Sequence, residues 1–348
     1  MWVRCVGLDR DLKVAIVLSI LITIALLYAT VEVPRLVDNY LITVQMSSSR
    51  NEPTEFLNPY KVIDLLRPVA YFSFALVTVL IVIGLLLKSK SLAMAGSLAF
   101  YLPTFGYYAV SMVWIAGIGI IRALWLPLLD VNPLLLKLGH IVLIPYIALS
   151  PVLAYITNCI TESPFFHGLP IGAQELLSSP AGLIALASMA IGIFFFTFGT
   201  ATWLYGRFKG VEFIDFWAYR FCRHPQYLGF LLWSYGMTLS PLWLWPPRGI
   251  TLPTPTTPWL ITALIVIAIA LWEEAKMVKE HGEVYMKYRE KTPFMIPLPK
   301  GIAKLIVKPV TVVIGKPYPE TPREVVLVIG LYGTILSIAS IPIALMLR

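Results

Sequence analysis

Two stretches of the chain bring together residue types that can do chemistry. One is Tyr219-Arg220-Phe221-Cys222-Arg223-His224-Pro225-Gln226-Tyr227-Leu228-Gly229. The other opens with Glu273-Glu274, reaches His281-Gly282 seven residues later, and continues through Tyr285, Tyr288, Thr292-Pro293 and Ile296-Pro297. Pro225 suits the first turn of a helix, where its missing N–H is no loss. Arg223 and His224 then stand beside the positive end of that helix, where a carboxylate or phosphate is stabilised. Tyr227 offers a ring and a hydroxyl within the first turn, and Gly229 admits a close neighbour to the backbone. Glu273 and Glu274 end a hydrophobic run, where an unpaired carboxylate is costly and a cationic partner removes the cost. Tyr285 and Tyr288 share a face if the helix continues.

The elements that must carry these residues are transmembrane. Of 348 residues, 58% are hydrophobic and 13% charged, about half the roughly 25% charge of a soluble domain, and the mean hydropathy is +0.79. Such a chain has no charged skin with which to cover a globular core. The composition implies an all-α, polytopic integral membrane protein and excludes disorder, a collagen-like chain and a disulfide scaffold. Cys5, Cys159 and Cys222 match no metal or redox spacing and read as reduced and structural.

Apolar runs place spans at 14–31, 68–87, 181–204, 226–245, 259–272 and 324–347, with a short helix at 60–66. Residues 92–157 decide the count. Three crossings, near 92–109, 111–129 and 134–157, leave the Lys/Arg-free loop 158–180 outside and both lysine-rich ends inside, as the positive-inside rule prefers. This gives nine spans with an internal N-terminus, or eight if 92–121 crosses once. The 205–225 connection and the basic 273–322 segment then face the cytoplasm. From Glu273 to Arg323 there are ten Lys/Arg against six acids, within a net charge of +8. This charge is first a topology signal and a contact for membrane lipids, not nucleic acid. Residues 301–316, with Lys304 and Lys308 among Ile, Leu and Val, have the pattern of an interfacial helix.

The two stretches together call for a ligand with one negative end, one positive group and an aromatic portion, a description that S-adenosylmethionine fits. The run Arg223-His224-Pro225-Gln226-Tyr227-Leu228-Gly229, then Glu273-Glu274, then Gly282-x-x-Tyr285-x-x-Tyr288 and Pro293 resembles the isoprenylcysteine carboxyl methyltransferase family and the broader group that includes phospholipid methyltransferases. The resemblance covers about residues 204–299. It implies that His224, Pro225, Gln226 and Tyr227 contact S-adenosylmethionine, joined by Tyr219, by Val211, Glu212, Phe213 and Ile214, and by Glu273. Arg223, Ile269 and Glu274 fall on the substrate side. Two positions depart from the pattern: Ile269 stands where that family carries a substrate-contacting arginine, and Trp217 where it carries a glycine.

Three segments follow from this reading: an N-terminal transmembrane bundle at 1–160 with no assigned role, a methyltransferase-like core at 181–299, and an interfacial segment with a last span at 300–348. The expected activity is methyl transfer from S-adenosylmethionine to a lipid-like or prenylated acceptor, a carboxylate or an amine, at the cytoplasmic face. An amine acceptor has to lose a proton, and Glu274 is the nearest base. The catalytic residue, the acceptor and the oligomeric state stay open. Two alternatives remain beside it. A sterol-reductase-like enzyme using NADPH is similar around an Arg-His-Pro-x-Tyr-x-Gly stretch, and a transporter or structural membrane protein would need no cofactor. Arg223 and His224 would also suit a plain basic membrane boundary, and Tyr285 and Tyr288 interface anchors. His140 reads as structural. No metal-ligand pattern is present in the sequence.

Overall fold

A computed structural model of the chain describes residues 9–24, five positions between 68 and 83, and residues 126–239 and 256–347. Among the described residues there are helices and no strands. The helices are α1 at 10–24, α2 at Leu126–Val131, α3 at Ile144–Thr161, α4 at Pro164–His167 and α5 at Ile171–Leu177. After them come α6 at Pro180–Phe208, α7 at Ala218–Phe221, α8 at Pro225–Leu239, α9 at Thr256–Lys291, α10 at Lys300–Ile314 and α11 at Pro322–Met346. Among the described residues, three segments are long and apolar enough to cross a membrane: His140–Thr161, Pro180–Phe208 and Pro322–Met346. Large apolar side chains such as Val152, Phe194 and Ile338 are exposed along them, which suits lipid and not water. The protein is a helical membrane protein.

Several expected boundaries move. The crossing expected at 134–157 starts instead as two 3-10 turns, Pro133–Lys137 and His140–Leu143, before α3 begins at Ile144. Asn132 accepts a hydrogen bond from the Leu134 amide at 2.8 Å and Pro133 fixes the first turn, so the chain is capped before it can enter a regular helix. The polar stretch 158–180 is not a plain loop, since it holds the end of α3 and the short α4 and α5. The span expected at 259–272 runs without interruption into charged helix, as its sequence suggests, until Gly282 takes φ +52°, ψ −127°. That conformation is open to glycine and costly for other residues. The helix expected at 60–66, the crossing at 92–109 and most of that at 111–129 lie outside the described residues. Of the span at 68–87, the five described positions are helical and exposed.

The contacts sort the chain into two units. One gathers Met1–Tyr28, Ser188–Ser234 and Ala268–Val328, and every candidate site residue falls in it. Within it, α6 and α8 meet at two glycines. A Cβ on Gly229 would run into the backbone nitrogen of Phe196, and one on Gly192 into that of Trp233. The close neighbour that Gly229 admits is therefore a helix, packed as small residues allow in membranes. Lys209, one residue past α6, is clamped by Asp9 and Asp11 at the start of α1. The other unit gathers Ala29–Ala187, Tyr235–Ile267 and Ile329–Arg348. Its buried polar groups pair with one another: His140 Nδ1 lies 2.7 Å from Thr256 Oγ1, the Tyr235 hydroxyl donates to the Val142 carbonyl, and Ser340 accepts from the Ile141 amide.

Candidate functional site

The site is built where α8 begins. Pro225 is its first residue, as its chemistry suggests, so Arg223 and His224 stand just ahead of the helix. Arg223 is held from its backbone by the Pro293 carbonyl, which accepts its N–H at 3.0 Å. Its Nη1 donates to Glu274 Oε2 at 2.6 Å, and the two side chains are 4% and 3% exposed. The other carboxylate oxygen, Oε1, lies 3.1 Å from His224 Nε2. An ionised carboxylate only accepts, so Nε2 carries the proton. The His224 ring stacks on Tyr227 at 5.7 Å and 10° and meets the edge of Phe294 at 5.1 Å. Phe294 also faces the Arg223 guanidinium at 5.5 Å. Arg223 Nε is buried with no hydrogen-bond partner among the described residues, a state that buried polar atoms rarely keep.

Glu273, the adjacent acid, faces different groups. The Tyr227 hydroxyl hydrogen-bonds to it, and its charge bears on Tyr219. Burial and then the Glu273 charge push the Tyr219 phenol above its ordinary range. Tyr219 donates to Gln226 Oε1 at 3.4 Å, and Gln226 donates to Thr200 on α6, also at 3.4 Å. The Tyr288 hydroxyl donates to the Tyr219 carbonyl at 2.6 Å. Burial drives the phenols of Tyr285 and Tyr288 upward as well, so both hydroxyls stay protonated; Tyr285 accepts from the Arg223 guanidinium. Burial likewise pushes the Cys222 thiol up to about 11, which keeps it a neutral packing group.

Phe213 ties the connection after α6 to the end of α9. Its ring lies 5.6 Å from His281, 5.7 Å from Tyr285 and 5.0 Å from Tyr288. Ile214 fills the space beside Gly206, while Val211 returns its N–H to the Gly206 carbonyl. Glu212 is exposed. Between these and Tyr219 the backbone takes a sharp turn at Trp217, with φ +46° and ψ −115°, the one non-glycine positive φ among the described residues. The Trp217 ring stacks on Tyr205 at 4.8 Å and 24° and sits edge-on to Phe216.

The structure thus draws residues 211–227, 273–288 and 293–294 into one place, although some fifty residues of sequence separate Arg223 from Glu274. Ile269 is fully buried. Glu274, expected as a base, has one oxygen on Arg223 and the other on His224; it holds these two side chains in position. Phe294 and Thr200 were not singled out from the sequence. The signal for Thr200 was a hydroxyl inside a long apolar run, and for Phe294 an aromatic directly after Pro293.

S-adenosylmethionine can be tested against these residues. Arg223 Nε is an orphaned buried donor at the head of α8 and matches a carboxylate. Glu273 accepts from the Tyr227 hydroxyl and, as an acid, can match a cation, and Phe213, Tyr285 and Tyr288 supply aromatic surface. The residues fit the group. The chain matches no family model, no curated protein and no solved structure.

Proposed function

We propose that the protein is a multi-pass membrane methyltransferase that uses S-adenosylmethionine and acts on a lipid-like or prenylated acceptor at the cytoplasmic face, with eight or nine spans. One observation carries the reading. Adjacent acids at the end of an apolar helix have unlike surroundings: Glu274 is consumed by Arg223 and His224, whereas Glu273 is directed to Tyr227 and Tyr219. A buried ion pair adds little stability by itself, but it fixes the orientation of Arg223 and His224 at the start of α8.

The residues that would hold the cofactor are His224, Pro225, Gln226, Tyr227, Tyr219 and Glu273, with Val211, Glu212, Phe213 and Ile214. When bound, the cofactor supplies a methyl group carried on a sulfonium. Glu273 holds a cationic group, and the Arg223 Nε–H with the first amides of α8 holds an anionic one. Tyr219 and Tyr227 remain neutral donors. Glu274, with one oxygen on Arg223 and the other on His224, serves as a positioning group. An ionised carboxylate acceptor needs no base, and positioning alone can contribute roughly 7–11 kcal/mol to such a transfer. An amine acceptor would have to lose a proton as well.

Calorimetric titration of the detergent-purified protein with S-adenosylmethionine, its demethylated product and NADPH tests the reading. We expect the first two to bind and Tyr227→Ala and Glu273→Ala to lose that binding. Binding of NADPH alone would replace the reading with a reductase. Transfer of tritiated methyl into lipid extract, compared with a prenylcysteine analogue, then identifies the acceptor.

A further inference from the structure

We propose that α10 lies flat in the headgroup layer of an anionic membrane leaflet, with one face in the acyl chains and two lysines on lipid phosphates. Helical spacing of about 100° per residue divides its surface into three strips. Ala303, Val307, Val310 and Ile314 form the strip turned toward the protein, half-buried or buried throughout. Ile302, Leu305, Ile306, Val312 and Val313 recur at helical spacing on a second strip, and all are exposed, Leu305 to 71% and Val312 to 79%. Lys304, Lys308 and Thr311 occupy the third, and they too are exposed. A strip so apolar and so uncovered needs an occupant.

Charge decides which occupant. From Lys291 to Pro319 the sequence holds five lysines and no acid. Lys316 is already spent on Glu320 and Glu324, at 2.7 and 3.1 Å. Lys304 and Lys308 form no ion pair among the described residues, and they flank the apolar strip on one side only. Lysines beside an apolar strip match an interfacial helix that lies on anionic lipid. The membrane is at hand as well, since α11, one of the three candidate spans, starts eight residues after α10 ends. The proposal is independent of the enzymatic reading.

Site-directed spin labelling of the full chain tests it. Single cysteines replace Leu305, Val312 or Thr311 in a Cys5→Ser/Cys159→Ser background, which keeps the buried Cys222. The protein is placed one chain per nanodisc, in phosphatidylcholine with or without phosphatidylglycerol. Labels at 305 and 312 should be reached by dissolved oxygen and shielded from a water-soluble nickel complex, and the label at 311 should show the reverse. Phosphatidylglycerol should deepen the 305 and 312 sites. Lys304→Gln/Lys308→Gln should abolish that deepening, at about fivefold in binding preference per lysine. Equal nickel access at all three sites would overturn the proposal. So would shielding seen only when several chains share a vesicle, which would make the occupant a second copy. Depth indifferent to phosphatidylglycerol would overturn the role of the lysines.

Discussion

Two histidines, buried His140 in one unit and half-buried His224 in the other, are satisfied in opposite ways. His140 pairs with the hydroxyl of Thr256, a neutral contact that asks nothing of the surroundings beyond a fitting distance. His224 shares a carboxylate with an arginine, which places full charges at sites 4% and 3% exposed. The neutral pair is the economical way to bury a histidine in a membrane protein. The charged cluster is not, since the desolvation of two ions can exceed their attraction and apolar substitutes are often as stable. A chain that is only 13% charged keeps charge at this site for a purpose other than stability. Under the proposed function that purpose is ligand recognition, and the comparison can be broken experimentally.

The largest effect belongs to Arg223. Arg223→Ala strands the Glu274 charge and should cost about 3–5 kcal/mol, seen as a collapse of folded yield and of thermal stability in detergent. The sharper variant is the double replacement Arg223→Met/Glu274→Leu. If the pair serves recognition, the double variant should recover most of the stability and none of the S-adenosylmethionine binding. Recovery of both would reduce the cluster to packing.

Next is Glu273. Glu273→Gln keeps the shape and removes the charge, so thermal stability should change by less than about 1 kcal/mol, within the range of ordinary substitutions. Cofactor affinity should fall roughly tenfold to a hundredfold, the worth of a hydrogen bond to a charged group. A drop in stability with unchanged affinity would assign Glu273 to the fold instead. His140→Ala should behave in the opposite manner. It leaves the Thr256 hydroxyl without its partner and should cost about 1–3 kcal/mol, with no change in affinity when the surviving protein is titrated.

What the sequence disclosed follows from the range of the interactions. Pro225 marks the start of α8 because proline acts on its own residue, and the apolar runs mark α6 and α11 because burial in lipid is a property of composition. The 3-10 turns ahead of α3 were harder to read, being set by Asn132 and Pro133 within an apolar stretch that otherwise suits a regular helix. The assembly of Arg223, His224 and Phe294 around Glu274 depends on tertiary approach across fifty residues, which no local pattern encodes. Residue type alone does not separate the adjacent acids; the family resemblance assigns Glu273 to the cofactor and Glu274 to the substrate side, and the fold gives them different neighbours. The same holds for Gly229, whose neighbour proved to be Phe196 of α6.

The smallest effect expected is at Trp217, and its value lies in its sign. A bulky residue at φ +46° carries about 1–3 kcal/mol of backbone strain. Against this stand the stack on Tyr205 and the edge contact with Phe216, each worth about 0.5–1.5 kcal/mol. These terms nearly cancel, so Trp217→Gly should change stability by no more than about 1 kcal/mol. Trp217→Ala loses the same ring contacts but keeps a Cβ in the unfavourable region, so it should be less stable than the glycine variant by about 1 kcal/mol. At ordinary positions alanine is the more stable of the two, because glycine loses more chain entropy on folding. Thermal unfolding of both variants in detergent decides the order. Glycine above alanine means that the turn ahead of Tyr219 is held against its own preference by aromatic packing. Alanine above glycine means that the turn relaxes once the ring is gone, and that Tyr219 is placed by Gln226 and Tyr288 alone.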